Sequence, residues 1–106
     1  MLLFSGGFSG SAFAQTQADM NAHATASAKA ANWQLNTAYA RLRATPELRQ
    51  AERSWLNFRD SQCRYEASVY EGGSIQPMTY ALCLDRVTKA RTAELLALSK
   101  FEEYRR

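Results

Sequence analysis

Few side chains in this sequence have chemistry to offer. They are two cysteines, Cys63 and Cys83, a single histidine, His23, and a scatter of carboxylates that includes Asp60, Glu66, Glu71 and Asp85. Each conceivable use can be weighed in turn. A tetrahedral structural zinc site needs four ligands, and one His with two Cys does not fill it without carboxylates. A nucleophile needs a neighbouring base, and His23 stands in an Ala-rich stretch with no cysteine near it. Neither a Ser-His-Asp set nor a Cys-His pair therefore has support, and His23 reads as a solvent-facing side chain. Two carboxylates flanking a cleft would suit glycoside hydrolysis, and Asp60, Glu66, Glu71 and Asp85 are the candidates. A small helical domain offers little cleft to hold the sugar. The sequence predicts no catalytic residue, no metal and no cofactor, and the chain is expected not to be an enzyme.

The cysteines have a different use. Cys63 lies ten residues before Gly73 and Cys83 ten residues after it. If Gly72-Gly73 turns an antiparallel helical hairpin, the two sulfurs stand level on facing helices. A disulfide is the expected state in an oxidising compartment. The alternative is two buried thiols packed as small hydrophobes. The pair is not C-x-x-C, which argues against a thiol-redox catalyst. Closing a loop of this length would stabilise the fold by roughly 3 kcal/mol.

The elements that must position these groups are helices. From Gln15 onward the only punctuation is Pro46, Pro77 and the Gly72-Gly73 pair, and no hairpin signal of a β-sheet occurs. A first segment, about Gln17 to Ala44, carries Met20, Ala24, Ala28, Ala31, Leu35, Tyr39 and Leu42 at steps of three and four. A second opens on Thr45-Pro46-Glu47, an N-cap, a first-turn proline and an acid suited to the helix dipole. It places Leu48, Ala51, Trp55, Phe58 and Gln62 on one stripe and should stop at Glu71, before the glycines. A third carries Met78, Leu82, Cys83, Val87, Ala90, Leu95 and Leu98. Its polar end, from Lys100, is expected to fray. The expected architecture is all-α, an antiparallel three-helix bundle with one disulfide between the second and third helices. In Trp55–Asp60 the plain reading packs Trp55 and Phe58 inward and leaves Arg59 and Asp60 as a solvated edge. A sharper one pairs Arg59 or Arg91 with an acid on the facing helix, and Arg91 with Glu94 at i and i+3.

Residues 1–14, MLLFSGGFSGSAFA, hold no charge and three of the five Phe. The Ala12-Phe13-Ala14 ending before Gln15 reads as a signal-peptide cleavage site, the basic start of which would lie upstream of Met1. The run is too short to span a bilayer. The remaining residues, 15–106, form one domain, with no stable membrane anchor expected. The net charge of the chain is +3. Its arginines step around two helices without forming one stripe, which does not make a nucleic-acid face.

Taken in order, a set of motifs has a familiar pattern. They are Gln17-Ala-Asp-Met-Asn21, Leu35-Asn-x-x-Tyr39-x-x-Leu42, and Trp55-x-x-Phe58-Arg59-Asp60-x-x-Cys63. Gly72-Gly73-Ser74-Ile75-x-Pro77-Met78, Cys83, Thr88-x-x-Arg91 and Glu94-Leu95 follow. Over about residues 17–98 the chain resembles the LprI-type lysozyme-inhibitor N-terminal domain. That resemblance implies an all-helical domain, periplasmic or secreted, and for some members the binding and inhibition of lysozyme. Leu35, Tyr39, Trp55, Phe58, Arg59, Asp60, Gly72, Gly73 and Arg91 match the family pattern as structural positions. Cys63 and Cys83 match one of its cysteine pairs. The chain departs from the second pair, since His23 stands at one of its places and no Cys lies upstream.

The functional expectation is an exported envelope protein that binds lysozyme or another envelope protein. The turn presents Ser74, Ile75 and Met78 as candidate contacts. The alternatives are a structural or assembly module of the envelope and a cell-wall hydrolase. C-type lysozymes are strongly basic, and a chain of charge +3 gains no long-range steering toward such a target.

Overall fold

The computed structural model describes residues 16–105, so the predicted signal segment, 1–14, lies outside the described residues. Three helices follow in order: α1 (Gln17–Tyr39), α2 (Pro46–Ser68) and α3 (Gln76–Arg105). Each start has a local cause. The Thr16 hydroxyl accepts from the Asp19 backbone N–H, and the Asp19 carboxylate accepts in return from the Thr16 N–H, a complete capping box. Thr45 accepts from the Leu48 N–H, with Pro46 in the first position. Pro77 stands in the first turn of α3, where its missing N–H has no intrahelical acceptor to lose.

The ends differ from the expected ones. α1 stops at Tyr39 rather than Ala44. Its last turn tightens through Arg41 N–H to Ala38 and Leu42 N–H to Tyr39 carbonyls, and the residue before Pro46 disfavours helix. α2 stops at Ser68 rather than Glu71. Tyr70 and Glu71 donate three residues back, to Ala67 and Ser68, a tightened exit. Gly72 then turns the chain at φ +81°. α3 continues helical through the polar segment from Lys100 to Arg105.

The order is up, down, up. Gln17 at the start of α1 lies against Met78 at the start of α3, Nε2 to Sδ 3.6 Å, and Leu35 and Ala38 share a core with Leu95. α1 and α3 are therefore parallel. Cys63–Cys83 and Glu52–Arg91 pair α2 with α3 in the opposite sense. α3 is the common partner. It packs along α1 most extensively and along α2 less so, and no Cα atoms of α1 and α2 come within 8 Å of each other.

The core is thin in side-chain volume. Leu35, Ala38 and Leu42 cluster with Leu95, and Ala24, Ala31, Ala81 and Thr88 are the other buried residues where α1 and α3 pack. Alanines let α1 and α3 approach closely, which leaves no room there for large rings. Trp33, two residues off the Leu35 stripe, is 68 % exposed. Phe58, expected inside, is 55 % exposed. The inner face of α2 instead runs through Trp55, Arg59, Cys63 and Ala67.

Candidate partner-binding site

Arg59 holds the place that the apolar spacing assigned to Phe58. Its guanidinium carbon lies 5.4 Å from the Trp55 ring centre, and that of Arg91 lies 6.0 Å from the same ring. Arg59 Nε donates to Asp60 at 3.0 Å and its Nη1 donates to Asn32 Oδ1 on α1 at 3.2 Å. Arg91 reaches Glu52 of α2 at 2.9 Å, with side chains only 14 % and 12 % exposed, and also Glu94 at 3.2 Å. Tyr39 and Trp55 pack against the Leu35–Leu95 core. The motif residues Leu35, Tyr39, Trp55, Arg59, Asp60 and Arg91 are thus brought together as a structural knot joining the three helices. A paired Arg beside an indole, with carboxylates satisfying its donors, is what a half-buried cation requires.

The sharper sequence reading holds for Arg91, which pairs across to Glu52 as well as with Glu94, while Arg59 pairs within its own helix. Glu52 and Asn32 were not singled out from the sequence. Glu52 had a usable signal. The register that sets Cys63 opposite Cys83 also sets Glu52 within one helical turn of Arg91. Asn32, exposed on α1, had none.

Cys63 and Cys83 form a disulfide, with Cα atoms 5.4 Å apart. Both cysteines are buried. The bond fastens the α2–α3 hairpin at the level where α2 buries only Cys63 and Ala67. Beyond it the turn is braced from α1: the Asn21 amide donates to the Ser74 carbonyl at 3.1 Å. Gly73 N–H closes the turn on the Tyr70 carbonyl at 2.8 Å. A Cβ at Gly73 would sit 3.1 Å from that oxygen. Val69 through Ser74 are all exposed, whereas Ile75 and Met78 are half-buried. Of the three candidate contacts, Ser74 is the exposed one, and Met78 meets Gln17 of α1. Phe58, Tyr65 and Val69 recur at i, i+7 and i+11 on one exposed face that runs along α2 to its C-cap and leads to the turn.

The carboxylates do not gather. Asp60, Glu66 and Asp85 each meet a cation, respectively Arg59, Arg86 at 2.7 Å and Lys89 at 3.1 Å. Glu66 has its titration lowered, first by the Gln62 amide that donates to it and then by Arg86. Glu71, in the exposed turn, has no cation within ion-pair distance among the described residues. His23 is exposed on α1. Among the described residues no group of three His, Cys, Asp or Glu side chains is placed to hold a metal ion. No described helix is long and apolar enough to cross a membrane.

The described residues form a small all-helical domain, stapled by one disulfide and tied between helices by Glu52–Arg91 and Glu66–Arg86, with an exposed turn braced from α1. The chain belongs to the lysozyme inhibitor LprI family, whose model matches residues 9–95. An uncharacterized protein of Rhizobium meliloti (strain 1021) is 33% identical over 109 aligned residues, covering 85% of this chain and 78% of that protein. No solved structure matches the chain. The disulfide fits an oxidising compartment.

Proposed function

We propose that this chain is an exported, non-enzymatic protein that binds and inhibits lysozyme, and that the α2–α3 turn is its contact surface. Membership of the lysozyme inhibitor LprI family carries the reading. The turn suits the role because it is restrained before binding: the disulfide closes the hairpin and Asn21 braces Ser74, so less ordering is left to oppose association. Tyr70 and Ser74 supply exposed contacts beside the half-buried Ile75 and Met78, and Tyr65 and Val69 extend the surface along α2. Tyrosines are effective anchors in such interfaces. The chain as a whole, at +3, opposes long-range approach to a basic lysozyme, and the Glu71 carboxylate at the tip offers local complementarity in its place.

The test is clearing of a bacterial cell suspension by a c-type lysozyme in the presence of the exported chain. Inhibition should saturate near equimolar ratio. Tyr70→Ala with Glu71→Lys should weaken it about tenfold or more, with the helical circular dichroism unchanged. Full lysozyme activity at high molar excess, with no complex on a sizing column, would reject the reading. Release of soluble fragments from peptidoglycan by the chain alone would replace it with the hydrolase.

A further inference from the structure

α1 and α2 both pack on α3 without packing on each other, so a gap is left between them with α3 as its floor. Arg59 crosses the gap to Asn32. On the turn side of this bridge all three helices line one open cleft of about 460 Å³, a volume within the range of small-molecule sites. Register gives the cleft a direction. Gln17 touches Met78 and Leu35 shares a core with Leu95, which sets Lys29 of α1 just past the level of Thr88. The Cys63–Cys83 bond sets Arg59 of α2 level with Val87. Lys29, Arg59 and Thr88 therefore lie at one end of the cleft and Pro77 and Tyr80 at the other, with Leu84 between them. From Pro77 to Thr88 the floor runs about 16 Å. Most of the wall is apolar, and Tyr80 and Leu84 are only half-buried in it. Among the described residues no carboxylate lines the cleft. Asp60 stands beside it and takes Arg59 Nε, while Asn32 takes Nη1, and neither bond uses Nη2. Asp85, next to Leu84 on α3, is held by Lys89 at 3.1 Å. Lys29 is exposed and, among the described residues, pairs with no acid.

We infer that this cleft binds a single-chain amphiphile with a carboxylate head, of the fatty-acid class. The two carboxylate oxygens meet Lys29 and Arg59 Nη2, one donor each. The apolar chain lies over Leu84 toward Tyr80 and Pro77. Charge and shape choose this occupant together. Cations at one end, with no acid in the lining, favour an anion and oppose an amine. An apolar tract in line with that end takes a tail. A peptide or a sugar would press N–H, C=O or hydroxyl groups onto a wall with few partners for them. A small inorganic anion would use the head end and leave Tyr80 and Leu84 uncovered. The ligand fills the gap that α1 and α2 do not close, and by binding the folded chain alone it stabilises the fold. The inference uses none of the residues proposed to meet lysozyme and does not rest on that reading.

The test is calorimetric titration of the oxidised, exported chain with decanoate below its micelle concentration, beside decanol and decyltrimethylammonium. Decanoate should saturate at one per chain and raise the melting midpoint. Decanol, which cannot make the charged hydrogen bonds, should bind about tenfold more weakly or worse, and decyltrimethylammonium should not bind. Decanoate should move the backbone amide resonances of residues 25–32 and 80–88 and leave those of 42–48 and 98–101 in place. Lys29→Gln should weaken binding about fivefold, Lys29→Arg should restore it, and Lys100→Gln, toward the other end of α3, should leave it within about twofold. Lys29 is exposed, so these variants keep the fold, which circular dichroism checks. Equal affinity for decanoate and decanol, no saturable binding, shifts confined to 42–48 and 98–101, or indifference to Lys29→Gln would each overturn the inference. Decyl phosphate bound about tenfold more tightly than decanoate would also overturn it, by replacing the carboxylate head with a phosphate.

Discussion

Reduction of the Cys63–Cys83 bond removes one constraint and leaves both sulfurs in place. The bond closes a loop of 20 residues, and the chain-entropy relation gives about 3 kcal/mol for a loop of that size. In a domain of this length each kcal/mol is worth about 4–8 °C, so the melting midpoint should fall by about 15 °C. The loss should not be spread evenly. α2 buries only Cys63 and Ala67 fully, and it meets α3 less extensively than α1 does. Its C-terminal half therefore depends on the staple, whereas α1 keeps Ala24, Ala31, Leu35 and Ala38 against α3. Paired melts of oxidised and reduced chain, followed by circular dichroism, give the total. Amide hydrogen exchange gives its distribution, with residues 57–68 losing protection ahead of those in α1. Cys63→Ala with Cys83→Ala should cost more than reduction, because the sulfur volume is also lost from a buried site. A fall of less than about 5 °C on reduction, or a uniform loss of protection, would refute the reasoning that α2 is held by the bond rather than by apolar burial.

Two further outcomes follow from the packing and the charges. Leu95→Ala should cost about 3 kcal/mol, because Leu95 is fully buried at the centre of the core, while Phe58→Ala should change stability by less than about 0.5 kcal/mol. Denaturant melts of both variants check the pair, and a larger loss for Phe58 would contradict its exposed position. Glu66 should titrate below the usual glutamate range, since the Gln62 amide and Arg86 favour its charged form. Its folded value is the depressed one, so the stabilisation is complete above the unfolded value and disappears as pH falls through the folded one. A carboxyl-carbon NMR titration reads this directly. Gln62→Ala should move the midpoint upward, and an unchanged midpoint would sink the assignment.

Much of the architecture was legible in the residues. Sparse punctuation cut the chain into three helices, Thr45-Pro46 marked one start, and Gly72-Gly73 marked the hairpin. Their spacing from the cysteines placed the disulfide. Helix ends were less legible, because the exits at residues 39–42 and 69–71 tighten by bonds three residues back rather than at a glycine. The inside of the bundle was the least legible part. Trp33 and Phe58 have the composition of core residues and lie outside. Arg59 and Glu52 have the composition of surface residues and lie within the knot around Trp55.

Periodicity along one chain gives which residues share a helical face, and equal distance from a turn gives which residues stand level across it. Both are local properties of a repeating backbone, and they carried the helices, the hairpin and the staple. Which face turns inward depends on how closely two helices approach, and that is set by the partner. Here alanines on α1 and small residues on α3 bring the backbones together, exclude the large rings and turn them to solvent. The place left on α2 goes to an arginine that an indole and two polar neighbours can satisfy. The same packing carries Glu52 to Arg91 and Asn32 to Arg59, pairings between residues 39 and 27 positions apart that no single stretch of sequence contains.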